Sequence, residues 1–175
     1  MQIRLYNVPK KFKAEEVRSA VEFFGSALMS KRLLQNISVR VVFVKDEENS
    51  TEWEDDNLRP REFTIRLFSG MGYQNTFITL AHEMVHVKQF ARGELRDYLK
   101  SSTLQRWQGK MFDSDKVDYW DLPWEIEAYG REKGLYWKFR IDGYERKKNA
   151  KAQSNSKKPS HSSLPQAGSE EQEGL

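Results

Sequence analysis

Between Phe77 and Phe90 this chain is apolar on nearly every face of a helix. Phe77, Ile78, Ala81, Met84 and Val85 recur at helical spacing, and Leu80, Val87 and Phe90 widen the stripe. A helix of this kind is usually buried, and burial is the expectation here. Asn75 or Thr76 is the expected N-terminal cap, and Gly93, just after Arg92, the expected stop. The same helix carries His82, Glu83 and His86. Polar groups in such surroundings are costly unless each has a partner.

His82-Glu83-Met84-Val85-His86 is an H-E-x-x-H sequence. Residues four apart lie on one helical face, so the two imidazoles can reach one ion. Glu83 projects at a neighbouring angle, from which a carboxylate can take a proton from water activated by a metal. Chance occurrence of the pattern in a chain of this composition is roughly one in two hundred. The competing reading is a pair of hydrogen-bonded core histidines beside a salt-bridged glutamate. Catalytic zinc usually takes three protein ligands. The chain has no cysteine, and its remaining histidine, His161, lies near the C-terminus. A carboxylate is therefore needed. Pro123-Trp124-Glu125-Ile126-Glu127-Ala128 offers two, at angles about 200° apart on a helix, so only one can face the metal.

Elsewhere the pattern alternates. A short strand is expected at Ile3 to Asn7, and a helix over Ala14 to Ser30. Ile37 to Lys45 reads as a strand buried largely on both faces, and Glu62 to Phe68 as one with Phe63, Ile65 and Leu67 inward. Asp97 to Asp121 reads as irregular, with a possible hairpin turning at Asp113-Ser114-Asp115. A second helix is expected from Asp121 as cap, with Pro123 in its first turn, to about Arg140. The expected organisation is one domain over residues 1–145 and a disordered basic and polar tail over residues 146–175.

Charge is informative mainly by position. Residues 1–145 hold 23 basic and 23 acidic residues, while residues 146–175 hold 6 and 3, so the whole net charge of +3 sits on the tail. A neutral body argues against strong non-specific nucleic-acid binding, and a DNA-associated protein docked through its tail is the weaker alternative. No apolar run is long enough to span a membrane, and no secretory signal opens the chain. With no cysteine, a cytoplasmic monomer is the expectation.

H-E-x-x-H followed by a glutamate on a separate helix resembles the gluzincin group of zinc metallopeptidases, closest to small single-domain phage or bacterial metallopeptidase-like proteins. The resemblance covers roughly Phe63 to Arg140. It implies an α+β, zincin-like fold: a small twisted sheet, the H-E-x-x-H helix, and a later helix carrying a glutamate ligand. It implies one Zn2+ per chain on His82, His86 and Glu125, because E-x-x-A in several such proteins maps onto Glu125 to Ala128. Glu83 would be general base for peptide-bond hydrolysis. Larger relatives place an aspartate after E-x-x-A to orient a ligand histidine, and here Tyr129 stands in that position. Peptide or protein substrate would bind as an extended strand, for which Glu62 to Phe68 is the expected sheet edge. The alternative is a non-catalytic module stabilised by its metal.

Three further features stand beside this. Asp46 to Asp56 holds seven acidic residues, which reads first as a solvated connecting loop and second as a selector of basic peptides. Trp107, Trp120 and Trp124 read as core residues before pocket residues. Tyr98, Tyr119, Tyr129 and Tyr136 are the candidates for polarising a scissile carbonyl.

Overall fold

The structure, a computed structural model, describes residues 1–55, 57–97 and 103–156, with side chains as far as residue 143. Its elements are β1 (Gln2–Tyr6), α1 (Ala14–Leu28), α2 (Lys31–Leu34), β2 (Ser38–Val44), β3 (Ser50–Trp53), β4 (Glu62–Phe68), α3 (Tyr73–Arg92), β5 (Leu95–Asp97), β6 (Leu104–Trp107), β7 (Lys110–Asp113), a 3-10 turn at Tyr119–Asp121, and α4 (Pro123–Ser156). The class is α+β. Contacts divide the chain into a unit spanning Met1–Ile141 and a second, Asp142–Leu175. In the second unit only the helical backbone as far as Ser156 is described.

The main sheet has the order β1-β2-β4-β3. β1, β2 and β4 are parallel, and β3 folds back antiparallel on β4, with Thr51 opposite Ile65 and Trp53 opposite Phe63. Parallel neighbours need a crossover, and α1 supplies the one from β1 to β2. α1 packs directly on α3, so both helices cover the same face of the sheet. Between the layers lie Val17, Val21 and Phe24 of α1, Val39 and Val41 of β2, Ile65 and Leu67 of β4, and Phe77, Leu80 and Met84 of α3, all fully buried.

This one-sided layering refines the expectation for β2. Val39, Val41 and Phe43 are buried, but Ser38, Arg40, Val42 and Val44 are only half-buried. A strand is dry on both faces only where helices cover both, and here both helices chose one.

α3 is buried from Phe77 through Ala91 apart from Ile78 and Thr79, as its all-round apolarity requires. It starts earlier than expected, at Tyr73 with Gly72 as cap. It ends as expected at Gly93, whose φ of 70° is the left-handed value that glycine adopts freely. Phe77 packs against Phe12, Tyr73 and Phe139. Phe77→Ala would leave an unfilled space at this junction and is expected to cost about 3–5 kcal/mol, measurable by denaturant unfolding.

The segment expected to be irregular supplies β6 and β7, which join β5 in a three-stranded antiparallel sheet of order β5-β6-β7. Its hairpin turns at Gln108-Gly109, not at Asp113 to Asp115. Both turn residues have positive φ, 45° and 91°, the signature of the two-residue turn that matches strand twist. α4 begins at Pro123, but Asp121 closes the preceding 3-10 turn, whose cap is Asp118. α4 also runs on to Ser156, past Arg140 and into the segment whose composition suggested disorder. The remainder of the expected tail, with His161, lies outside the described residues. Among the described residues no helix is long and apolar enough to cross a membrane.

Candidate metal centre

The one-turn spacing of His82 and His86 on α3 brings their rings to a centroid separation of 4.8 Å. Their Nε2 atoms are 3.1 Å apart. α4 crosses with Glu125 facing them: Oε2 is 3.3 Å from His82 Nε2 and Oε1 is 3.5 Å from His86 Nε2. All three residues are buried. His82, His86 and Glu125 thus lie close enough to bind one metal ion.

Each imidazole is held from behind. His82 Nδ1 is 3.0 Å from Glu132 Oε2. His86 Nδ1 is 2.8 Å from Gln89 Oε1. The orientation of the Gln89 amide follows from its other end, where Nε2 donates to the Trp124 carbonyl and to Glu127. Both histidines therefore face an acceptor at Nδ1, and the proton of a neutral ring sits there. That turns the Nε2 lone pairs of both rings toward each other and toward a carboxylate. With both rings neutral no proton lies between the two Nε2 atoms and the carboxylate, and three acceptors so placed repel. A metal cation, or a proton on one Nε2, resolves this, so the donor set fits a metal.

Electrostatics follow the same geometry. Burial alone would raise the Glu125 carboxyl, but the His82 and His86 rings, once protonated at Nε2, and the Tyr119 hydroxyl bond to it, outweigh burial and hold the group well below the usual carboxylate range. Burial would lower His86, but Glu125 and the charge of Glu83 win and raise it. Glu83 is raised by burial, opposed by the two histidines and the Thr51 hydroxyl. That hydroxyl lies 2.8 Å from Glu83 Oε2, bonding the carboxylate to edge strand β3. Glu83 is itself absent from the converging trio, as its angle on the helix requires.

The two glutamates of α4 separate as their 200° offset demands. Glu127 faces away from the histidines and binds Lys88 Nζ at 2.7 Å and Arg131 Nε at 2.9 Å. Lys88 is buried and also pairs with Glu94 at 2.6 Å. This network clamps the second half of α3 to the first turns of α4.

Of the tyrosines, Tyr119 donates its hydroxyl to Glu125 Oε2 at 2.8 Å, and the Tyr129 ring packs edge-on against His82 at 4.6 Å. Tyr136 is buried in the core, and Tyr98 lies outside the described residues. Trp124 is core, and Trp107 packs partly buried against it. Trp120 departs from the core reading: it is 64% exposed and leans on Tyr129.

The sheet edge also departs from expectation. Glu62 to Phe68 is an interior strand, paired with β2 on one side and β3 on the other. The edge beside the site is β3, built from residues within the acidic stretch that reads as a connecting loop. Short strands of polar residues carry little periodic signal, and pairing with β4 supplies what local propensity lacks.

Residues missed from sequence are Glu132, Gln89 and Thr51. Glu132 lies seven residues after Glu125, within about 20° of it around the helix, and Gln89 lies three after His86, so helical spacing could have marked both. Nothing local marks Thr51. Glu132→Ala is expected to reduce metal affinity about 10–100-fold by freeing the His82 ring, while Glu132→Gln, which keeps an acceptor, retains most of it. Competition titration with a chromophoric chelator reads the difference.

No protein-family model, curated protein or solved structure matches this chain.

Proposed function

We propose that the chain is a zinc-dependent metallopeptidase of zincin-like fold, with zinc held by His82, His86 and Glu125. The observation that carries this is the spacing of the three donors. Tetrahedral coordination at zinc bond lengths of about 2.0–2.1 Å sets ligand atoms roughly 3.3 Å apart. The three distances found are 3.1, 3.3 and 3.5 Å. When bound, zinc would acidify a water molecule and polarise the carbonyl that the water attacks.

The remaining roles belong to the chain. Glu83 accepts the proton of the attacking water and passes it to the leaving amine. Thr51 holds the Glu83 carboxylate in place, and Glu132 and Gln89 fix the two imidazoles. β3 ends the sheet, so among the described residues one side of its backbone has no strand partner and can pair with an extended peptide beside Glu83.

Metal content of the purified protein, measured together with cleavage of a casein-type unfolded substrate, tests the proposal. One zinc per chain with chelator-sensitive cleavage supports it. Stoichiometric zinc with no cleavage of any unfolded protein favours the metal-stabilised binding module. A metal-free protein that folds and melts unchanged on addition of zinc removes the centre itself.

A further inference from the structure

A second polar feature lies beyond the metal centre, where the loop after β3 meets the end of α3 and the start of β5. Arg59, Arg61 and Arg96 line an open pocket there with Asn57 and Leu58. Gly93 makes it possible. A Cβ on Gly93 would stand 3.0 Å from Arg96 Nη2 and 3.2 Å from Arg59 Nε, so the two guanidinium groups crowd the space that its missing side chain leaves.

These charges have no ion-pair partner among the described residues. Among the described residues no carboxylate pairs with Arg59 or Arg96, and Arg96 Nε is buried without a hydrogen bond. Arg61 donates to the Pro60 and Ala91 carbonyls at 2.8 Å. The nearby Asp55 carboxylate accepts from the Arg61 backbone N–H and the Asn57 amide through Oδ2 alone, and its buried Oδ1 has no hydrogen-bond partner among the described residues. Elsewhere the fold pairs its inward cations, as with Lys88 against Glu94 and Glu127. Like charges held this close repel unless an anion joins them, and planar guanidinium groups match the oxygens of a carboxylate or phosphate.

We infer that Arg59, Arg61 and Arg96 form an oxyanion site that takes an anionic group of the peptide substrate. Its place in the fold indicates which part of the peptide it reads. Glu54 N–H bonds the Glu62 carbonyl, so the loop carrying Arg59 and Arg61 leaves directly from the end of β3. Thr51 touches Glu83 and Arg61 touches Ala91 on the same helix. Ala91 lies eight positions after Glu83 on the helix, roughly 12 Å along its axis, the reach of about four residues of extended chain. A peptide lying along β3 with its reacting bond at Glu83 would bring a residue three or four positions away to the arginines.

The identity of the group rests on the peptidase reading, whereas the site itself does not, and two probes separate them. The first is inorganic phosphate, titrated into the full-length protein by calorimetry at low salt. Saturable binding that falls roughly tenfold or more in Arg59→Ala and in Arg96→Ala, with zinc content and melting temperature unchanged, is expected. The second is a pair of fluorescein-labelled extended peptides, one with glutamate and one with glutamine at the same positions. Their anisotropy is read on zinc-loaded Glu83→Gln protein, which would hold substrate without cutting it. The glutamate peptide should bind about tenfold more tightly, and Arg96→Ala should abolish the preference. Phosphate binding without discrimination between the peptides overturns the substrate assignment and leaves a site for a free oxyanion. Absence of both responses overturns the site, whatever the metal centre does.

Discussion

Replacing Glu83 by glutamine is expected to leave one zinc per chain and to lower peptide hydrolysis by roughly 10²–10⁴-fold, the contribution of a general acid–base group. The substitution keeps the size of the side chain and its capacity to accept the Thr51 hydroxyl bond, so the helix and the three donor atoms stay in place. It removes the basic oxygen that takes the proton. Since Glu83 is not among the converging donors, metal binding and chemistry should separate cleanly in this variant. Metal analysis and turnover on one preparation check it. Undiminished turnover would require another base, and loss of zinc would mean that Glu83 supports the centre structurally.

His86→Ala and Glu125→Ala are expected to abolish stoichiometric zinc binding and, with it, activity. Two donors cannot hold the ion as three do, and each of these substitutions removes one of only three buried donors in the trio. Glu127→Ala is the informative control. It lies two residues from Glu125 and should keep its zinc, because its carboxylate points to Lys88, Gln89 and Arg131. Its effect should fall on stability. Lys88 would lose one of two acidic partners, and the remaining Glu94 limits the loss to less than the roughly 3–5 kcal/mol that breaking a buried pair costs. Zinc per chain and the denaturation midpoint together distinguish the variants. Full occupancy in His86→Ala, or zinc lost from Glu127→Ala and kept in Glu125→Ala, would contradict the geometry described.

The histidine pair and the central helix were legible in the chain itself because both depend on short spacing. A helix repeats every 3.6 residues, so apolarity on every side required burial, and an i, i+4 pair of histidines had to share a face. The offset between Glu125 and Glu127 was equally local: one of them had to turn away. Sequence left open which one, since a helix's rotation about its axis is set by what it packs on. Here the Lys88–Glu127 pairing and the Gln89 bond to the Trp124 carbonyl set it. The same limit explains the sheet. Alternation in Glu62 to Phe68 predicted a strand and its inward face, but an edge is a property of neighbours. β3, four residues of weak pattern, became the outer strand by pairing with β4 across a loop. Thr51 behind Glu83 and the three arginines around Gly93 belong to that category too. Local spacing along the chain determined which groups could act together on one helix, whereas long-range packing alone determined what surrounds them, because contacts between distant segments leave no periodic trace in either segment.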